Sequence, residues 1–258
     1  MSDTDNNTKT EEKNQDESLG HIEEMYRAGV HFGYSRSTTH PKMKPFFYGL
    51  RNNMQIFNLE KVWPLLEKAV EFLKGLGQKR AVVLLVGTKP EASHIIEAVG
   101  KSMGFPYVTE RWLGGTLTNF SQIKRRIEQF ENLRRQKEAG EFKKLSKKEV
   151  SRLEKQLSKL ERLIGGIREL AKVPDVLLII DAKAEHAAVT EAKKMRLPII
   201  AIMNSDNDPS VVDYPIPGND STVSSIQYLL DKLMNGYKKG KQSYKPEEKK
   251  EKAPAAAK

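Results

Sequence analysis

Cysteine is absent from all 258 residues. That excludes a disulfide framework, thiolate metal sites and a cysteine nucleophile. Long apolar runs are absent too: the longest, Ala81 to Val86 and Val176 to Ile180, fall far short of the ~20 residues a membrane span needs. The N-terminus is acidic and polar, with no apolar signal region, so a soluble, cytoplasmic chain is expected. No glycine–four–Gly-Lys-Ser/Thr loop, no G-x-G-x-x-G after a strand, no H-E-x-x-H and no G-x-S-x-G elbow occurs. The usual signatures of nucleotide binding, zinc proteolysis and serine hydrolysis are therefore missing.

What the sequence does have is positive charge, unevenly placed. The formal net charge is +10, with 30% of residues charged and 38% hydrophobic. Residues 1–18 hold two lysines against six acids, and residues 119–172 hold sixteen Lys/Arg against eight Glu. Residues 232–258 hold nine lysines against three Glu, while the remainder, 19–118 and 173–231, is neutral. A neutral body that carries basic appendages suits a polyanionic partner; lysine-rich tails also serve solubility alone.

The hydrophobic pattern defines the body. Ala81–Val86, Val176–Ile180 and Ile199–Met203 are unalternating runs, with shorter strands expected at Tyr107–Thr109 and near Tyr214–Ile216. Such runs separated by helical segments indicate a parallel sheet buried on both faces, hence a doubly wound α/β layer of about five strands. Helices are expected from a Ser18 cap to Gly29, from about Val62 to Lys74, Pro90 to Met103, Glu185 to Met195 and Thr222 to Leu233. Phe46–Tyr48 and Gln55–Phe57, separated by Arg51-Asn52-Asn53, read as strand–turn–strand. Residues 1–18 form an expected disordered acidic tail, 19–118 with 173–235 the α/β core, and 236–258 a disordered Lys-rich tail.

Residues 119–172 form the basic insertion. Phe120, Ile123, Ile127, Phe130 and Leu133, then Val150, Leu153, Leu157, Leu160, Ile164, Ile167 and Leu170, each repeat at three or four residues. Two helices with such narrow seams around Ala139-Gly140 make an antiparallel helical hairpin, a coiled coil, or else a dimerising seam. The second helix, at about 25 residues, would be ~37 Å long.

Candidate chemistry is sparse. Asp181, Asp206 and Asp208 could meet at neighbouring strand ends and bind Mg²⁺ for a phosphate- or nucleotide-handling reaction; an Asn/Asp/Pro cluster is equally what a turn is built from. Thr88 before Pro90 fits a helix cap. Trp112-Leu113-Gly114-Gly115 suggests a backbone packed closely or held at positive φ, fixing the angle of the insertion. Thr118 or Asn119 can cap its first helix. Val30 to Leu59 contains no acid but carries Arg36, Lys42, Lys44 and Arg51 with His31, His40 and several aromatics interleaved. Cations of this kind hold phosphates, while His and Tyr can stack on bases or reach a 2′-hydroxyl.

Gly29-Val30-His31-Phe32-Gly33, Pro41-Lys42-Met43-Lys44-Pro45-Phe46, Val86-Gly87-Thr88-Lys89, Arg111-Trp112-Leu113-Gly114-Gly115-Thr116-Leu117-Thr118-Asn119-Phe120, Pro174-Asp175 and Ile216-Pro217-Gly218-Asn219-Asp220 stand in one order. In that order and spacing, over about 19–235, the chain resembles the S-two family of bacterial small-subunit ribosomal proteins. It departs from that family's pattern at Ser205–Pro209 and at Tyr34–His40. The resemblance implies a flavodoxin-like sheet with a protruding hairpin, and a non-catalytic structural constituent of the small ribosomal subunit; no cofactor or metal is expected. Its implied partners are small-subunit rRNA and neighbouring ribosomal proteins, with ribosomal protein S-one among them, and neither membrane nor DNA. Its implied role is in late subunit assembly and translation. The expected RNA contacts are Arg36, His40, Lys42, Lys44, Arg51, Arg111, Asn119, Lys124, Arg125 and Arg126.

Overall fold

The computed structural model describes residues 19–244; the acidic segment 1–18, the cap expected at Ser18 and the lysine-rich residues from 245 onward lie outside the described residues. Chain order begins with α1 (residues 19–27), then β1 (Phe32–Ser35), β2 (Phe47–Arg51) and β3 (Met54–Phe57). There follow α2 (Leu59–Gln78), β4 (Val83–Val86), α3 (Pro90–Met103), β5 (Tyr107–Val108), α4 (Phe120–Glu138) and α5 (Lys147–Ile164). The chain closes with β6 (Val176–Ile180), α6 (His186–Lys194), β7 (Ile199–Met203), β8 (Tyr214–Pro217) and α7 (Val223–Gln242).

Five strands form one sheet in the order β5-β4-β6-β7-β8, every pair parallel. Counting these strands alone, the order is 2-1-3-4-5, the flavodoxin-like winding. The continuous apolar runs are explained by two cores. Val83, Leu85, Leu178, Ile180, Ile200, Ile202 and Ile216 face α1, α2, α3 and α7. Leu84, Val86, Leu177, Ile179, Ile199, Ala201 and Met203 face α4, α5 and α6. With side chains alternating by face, a strand buried on both sides must be apolar at every position.

Helix α2 starts at Leu59, three residues before the expected start, because Asn58 accepts the Glu60 N–H at 3.0 Å. Pro64, which a start at Val62 would have put in the first turn, thus lies inside the helix. The last helix runs to Gln242, past the tail boundary expected at 236. Its far end is held by close packing on α2. A β-carbon on Gly236 would stand 2.8 Å from Val70 Cγ1, and β-carbons on Gly77 and Gly240 would meet the carbonyls of Tyr237 and Lys74. Glycine lets the two backbones touch there, and a helix that packs is not a tail.

The insertion contains two antiparallel helices. Lys137, late in α4, pairs with Glu154 at 3.3 Å, and Ile123, Ile127 and Phe130 share a core with Leu157 and Ile164. That packing occupies the seam a dimer would use. A capping box, Ser146 with Glu149, starts α5. The helix is 18 residues, ~27 Å, shorter than expected. It tightens into a 3₁₀ turn at Gly165–Ile167, where Gly166 lies so close to Tyr107 of the edge strand that a side chain would strike the ring.

Beside the parallel sheet lies a second, antiparallel sheet, β1-β3-β2. Its hairpin turn holds Asn52 and Asn53 at φ +48 and +64, the left-handed pair that a two-residue turn demands. The strand–turn–strand pattern was visible in sequence; β1 was not.

Candidate nucleic-acid interface

In an open α/β sheet the ligand crevice lies beyond the strand ends where the winding reverses, here between β4 and β6. The chain fills that place with its own side chains. Lys89 Nζ contacts Asp181 Oδ2 at 2.5 Å and Asp220 Oδ2 at 2.7 Å, and donates to the Tyr34 hydroxyl at 3.2 Å. Asp220 is fully buried and also accepts from Asn204 Nδ2 at 2.9 Å. Burial opposes the charge on Lys89, but the two carboxylates hold its pKa well above the lysine range. Burial likewise opposes the charge on Asp181, and Lys89 holds that carboxyl below its ordinary value. Glu185 accepts from the Thr88 N–H and hydroxyl and makes no ion pair among the described residues; burial pushes its pKa up. Thr88 is thus a partner of Glu185, and the cap position of α3 falls to Lys89.

The three carboxylates of the Mg²⁺ reading do not converge. Asp181 pairs with Lys89, Asp206 with Lys183 at 2.8 Å, and Asp208 with Lys42 at 2.8 Å. Among the described residues no group of three ligating side chains forms a metal site.

The acid-free segment is fastened over these strand ends. The Tyr34 N–H donates to Ser205 Oγ at 2.9 Å and the His40 N–H to the Ser205 carbonyl at 2.8 Å. Lys42 Nζ donates to Asp208 Oδ2 at 2.8 Å and Ser210 Oγ at 2.6 Å, and Lys42 holds the Asp208 carboxyl well below its usual range. His40 Nδ1 accepts from the Lys42 N–H. Lys42 and His40 therefore fasten the segment to the body, while Arg36, Lys44 and Arg51 are exposed.

The tryptophan–glycine block is organised by a residue that sequence reasoning did not single out. Glu191 of α6 accepts from Trp112 Nε1 (3.0 Å), Gly115 N (2.8 Å), Leu117 N (3.0 Å), Thr118 N (3.2 Å) and Thr118 Oγ1 (3.1 Å). Burial works against this carboxylate, but the donors, Trp112 foremost, hold its pKa below the ordinary value. Gly115 sits at φ +89, the turn that lets the loop's amides converge. No cation takes part; the loop's N–H groups form an anion nest around Glu191. The loop leads directly into α4, so Glu191 fixes where the insertion leaves the body. Thr118 is spent on Glu191, and Asn119 occupies the cap position without a side-chain cap bond, accepting instead from Ser121 Oγ at 3.1 Å.

The remaining expected contacts, Arg111, Asn119, Lys124, Arg125 and Arg126, are exposed where the insertion begins, and Lys124 Nζ lies 5.6 Å from the Phe120 ring centroid. The expected residues thus fall in two groups, one on the antiparallel layer and one at the root of α4.

Fold and surface together define a doubly wound α/β protein whose ligand crevice is closed by internal ion pairs and whose expected RNA contacts lie on the antiparallel layer and at the root of α4. The chain belongs to the ribosomal protein S2 family, whose family model matches residues 25–240. It is 40% identical over 221 residues to the small ribosomal subunit protein uS2 of Nitratiruptor sp., covering 86% of this chain and 83% of that one. It is 40% identical over 212 residues to the protein of that name from Francisella philomiragia, covering 82% and 89%. For the uS2 protein of Pseudoalteromonas atlantica the figures are 38% over 221 residues, covering 86% and 91%. No helix among the described residues is long and apolar enough to cross a membrane.

Proposed function

We propose that this protein is a non-catalytic structural constituent of the small ribosomal subunit. It binds small-subunit rRNA and neighbouring ribosomal proteins, ribosomal protein S-one among them, and supports late assembly and translation in the cytoplasm. The observation that carries the RNA-binding role is the segment Val30–Leu59, which contains no acid and presents Arg36, Lys44 and Arg51 to solvent while Lys42 and His40 fasten it to the body. Arg111, Asn119 and Lys124–Arg126 add a second set of donors at the root of α4. Phosphates are held by these cations through charge and hydrogen bonds, and the interleaved aromatics and amides supply local fit. With the crevice closed by Lys89, no reaction is ascribed to the strand ends.

A tagged chain run on sucrose gradients at low and high salt tests the reading. Co-sedimentation with small subunits and whole ribosomes at low salt, lost as salt rises, is the expected result. Residence at the top of the gradient in both conditions would sink it. Reversing charge at Lys124, Arg125 and Arg126 together should weaken incorporation while leaving the core folded; unchanged occupancy would remove the α4 root from the RNA-binding surface.

A further inference from the structure

The second helix of the insertion carries a charge pattern that the expected contacts do not include. Lys148, Arg152, Lys155, Lys159 and Arg162 are spaced by four, three, four and three residues along α5. At 3.6 residues per turn, that spacing keeps all five within a stripe about 80° wide. The stripe lies on the side opposite Leu157 and Ile164, the buried residues of this helix. All five side chains are exposed. The other positions on the outward half of the helix are Ser151, Ser158, Gln156 and the half-buried Leu163. No acid stands there.

The acids of α5 lie off the stripe, and two of them are engaged. Glu149 accepts from the Ser146 hydroxyl and N–H, and Glu154 pairs with Lys137 of α4. On α4, by contrast, Arg134 is paired with Glu138 and Arg135 is bonded to Asn132. Among the described residues, none of the five stripe cations takes part in an ion pair. An ordinary solvated helix face interleaves both signs at i and i+4, and this one does not.

The geometry points to the outward face of α5 as a track for the phosphates of one RNA strand. This rests on the rRNA-binding reading and names a further surface for it. From Lys148 to Arg162 the stripe runs ~21 Å, one cation every ~5 Å, a spacing on the scale of successive phosphates in an extended polynucleotide strand. Ser151 and Ser158 line a furrow with Lys155, Lys159 and Arg162, closed on one side by Glu154, which is paired with Lys137; the two serines add hydroxyl donors of the kind that position a backbone. A protein partner fits the face less well. Protein interfaces are anchored by buried aromatic or aliphatic groups and are depleted in lysine at their centres, and the stripe offers no such anchor.

The test compares the full wild-type chain with a variant in which all five cations become Gln, a comparably good helix former. Binding to small-subunit rRNA is measured across a potassium chloride series. Loss of five phosphate contacts should flatten the slope of log K against log salt by about 3.5, at about 0.7 per contact for single strands. Affinity at moderate salt should fall at least about tenfold, with unchanged circular dichroism. Lys238→Gln, Lys239→Gln and Lys241→Gln together, on α7, should alter the slope far less. An unchanged slope in the five-fold variant overturns the track while leaving the rRNA reading intact. An equal flattening in the α7 control also overturns it, as generic charge. Wild-type binding to polyglutamate that the five-fold variant loses, with rRNA binding unaffected, would reassign the face to an acidic polypeptide. A wild-type chain with no salt-dependent rRNA binding would overturn both readings.

Discussion

At the scale of single residues, two buried glutamates behave oppositely. Glu191 is surrounded by donors, and its charge is what they hold; Glu185 accepts, among the described residues, from Thr88 alone, and burial disfavours its charge. Glu191→Gln puts an amide NH₂ among N–H donors, and leaving such groups unsatisfied should lower unfolding free energy in urea by about 3 kcal/mol. Glu185→Gln keeps an oxygen for Thr88 and removes a disfavoured charge, so stability at neutral pH should change by less than about 1 kcal/mol or rise slightly. The pH dependence follows from the same contrast. A carboxyl with a depressed folded pKa contributes stability above its unfolded pKa and loses it as pH falls through the folded value. The acid limb of the stability curve should therefore be shallower in Glu191→Gln than in wild type; identical limbs would show that the nest does not hold the ionised form. Glu191 was not legible in the sequence. It sits on a short helix among lysines, and every one of its partners is more than seventy residues away.

At the scale of elements, legibility depended on whether the cause was local. The three central parallel strands, β4, β6 and β7, were legible because burial on both faces leaves an unbroken apolar run. The ends of α7 and α5 were not, because each is set by a distant backbone: α7 continues where Gly236 and Gly240 meet α2, and α5 stops where Gly166 meets Tyr107. Strand β1, Phe-Gly-Tyr-Ser, has no period to read and exists through its pairing with β3. The α2–α7 contact gives a sign that helix propensity alone gets wrong. Glycine to alanine inside a helix ordinarily stabilises by about 0.5–1 kcal/mol. At Gly240 the new carbon meets the Lys74 carbonyl, and overpacking of this kind costs about 1–3 kcal/mol. Gly240→Ala on α7 should lower the melting temperature, whereas Gly75→Ala, on α2 next to Lys74 but with nothing near a built β-carbon, should leave it level or raise it. Equal effects would mean that the two helices part without cost.

At the scale of the whole molecule, residues 19–118 and 173–231 sum to zero only because the four cations of the acid-free layer offset an excess of acids in the rest of the body, so positive charge is concentrated on that layer, on the insertion and in residues 232–258. The antiparallel layer is clamped to the strand ends through Tyr34, His40 and Lys42, and the insertion is fixed by the nest around Glu191. A body that closes its own crevice with Lys89, Asp181 and Asp220 can therefore act as a rigid mount, holding two cationic surfaces at a set separation. If both surfaces engage one RNA at once, each neutralised phosphate releases its own counterion, and their contributions to salt dependence add. Arg36→Gln, Lys44→Gln and Arg51→Gln together should flatten the slope by about 2, the five substitutions on α5 by about 3.5, and the combined eight by about 5.6, at about 0.7 per contact. Lys42 is left out of that set because its loss would also loosen the clamp to Asp208. A combined loss no larger than that of the α5 set alone would show that the two surfaces are alternative footholds on the RNA. The body would then be a carrier of two independent sites, with no need for a fixed geometry between them.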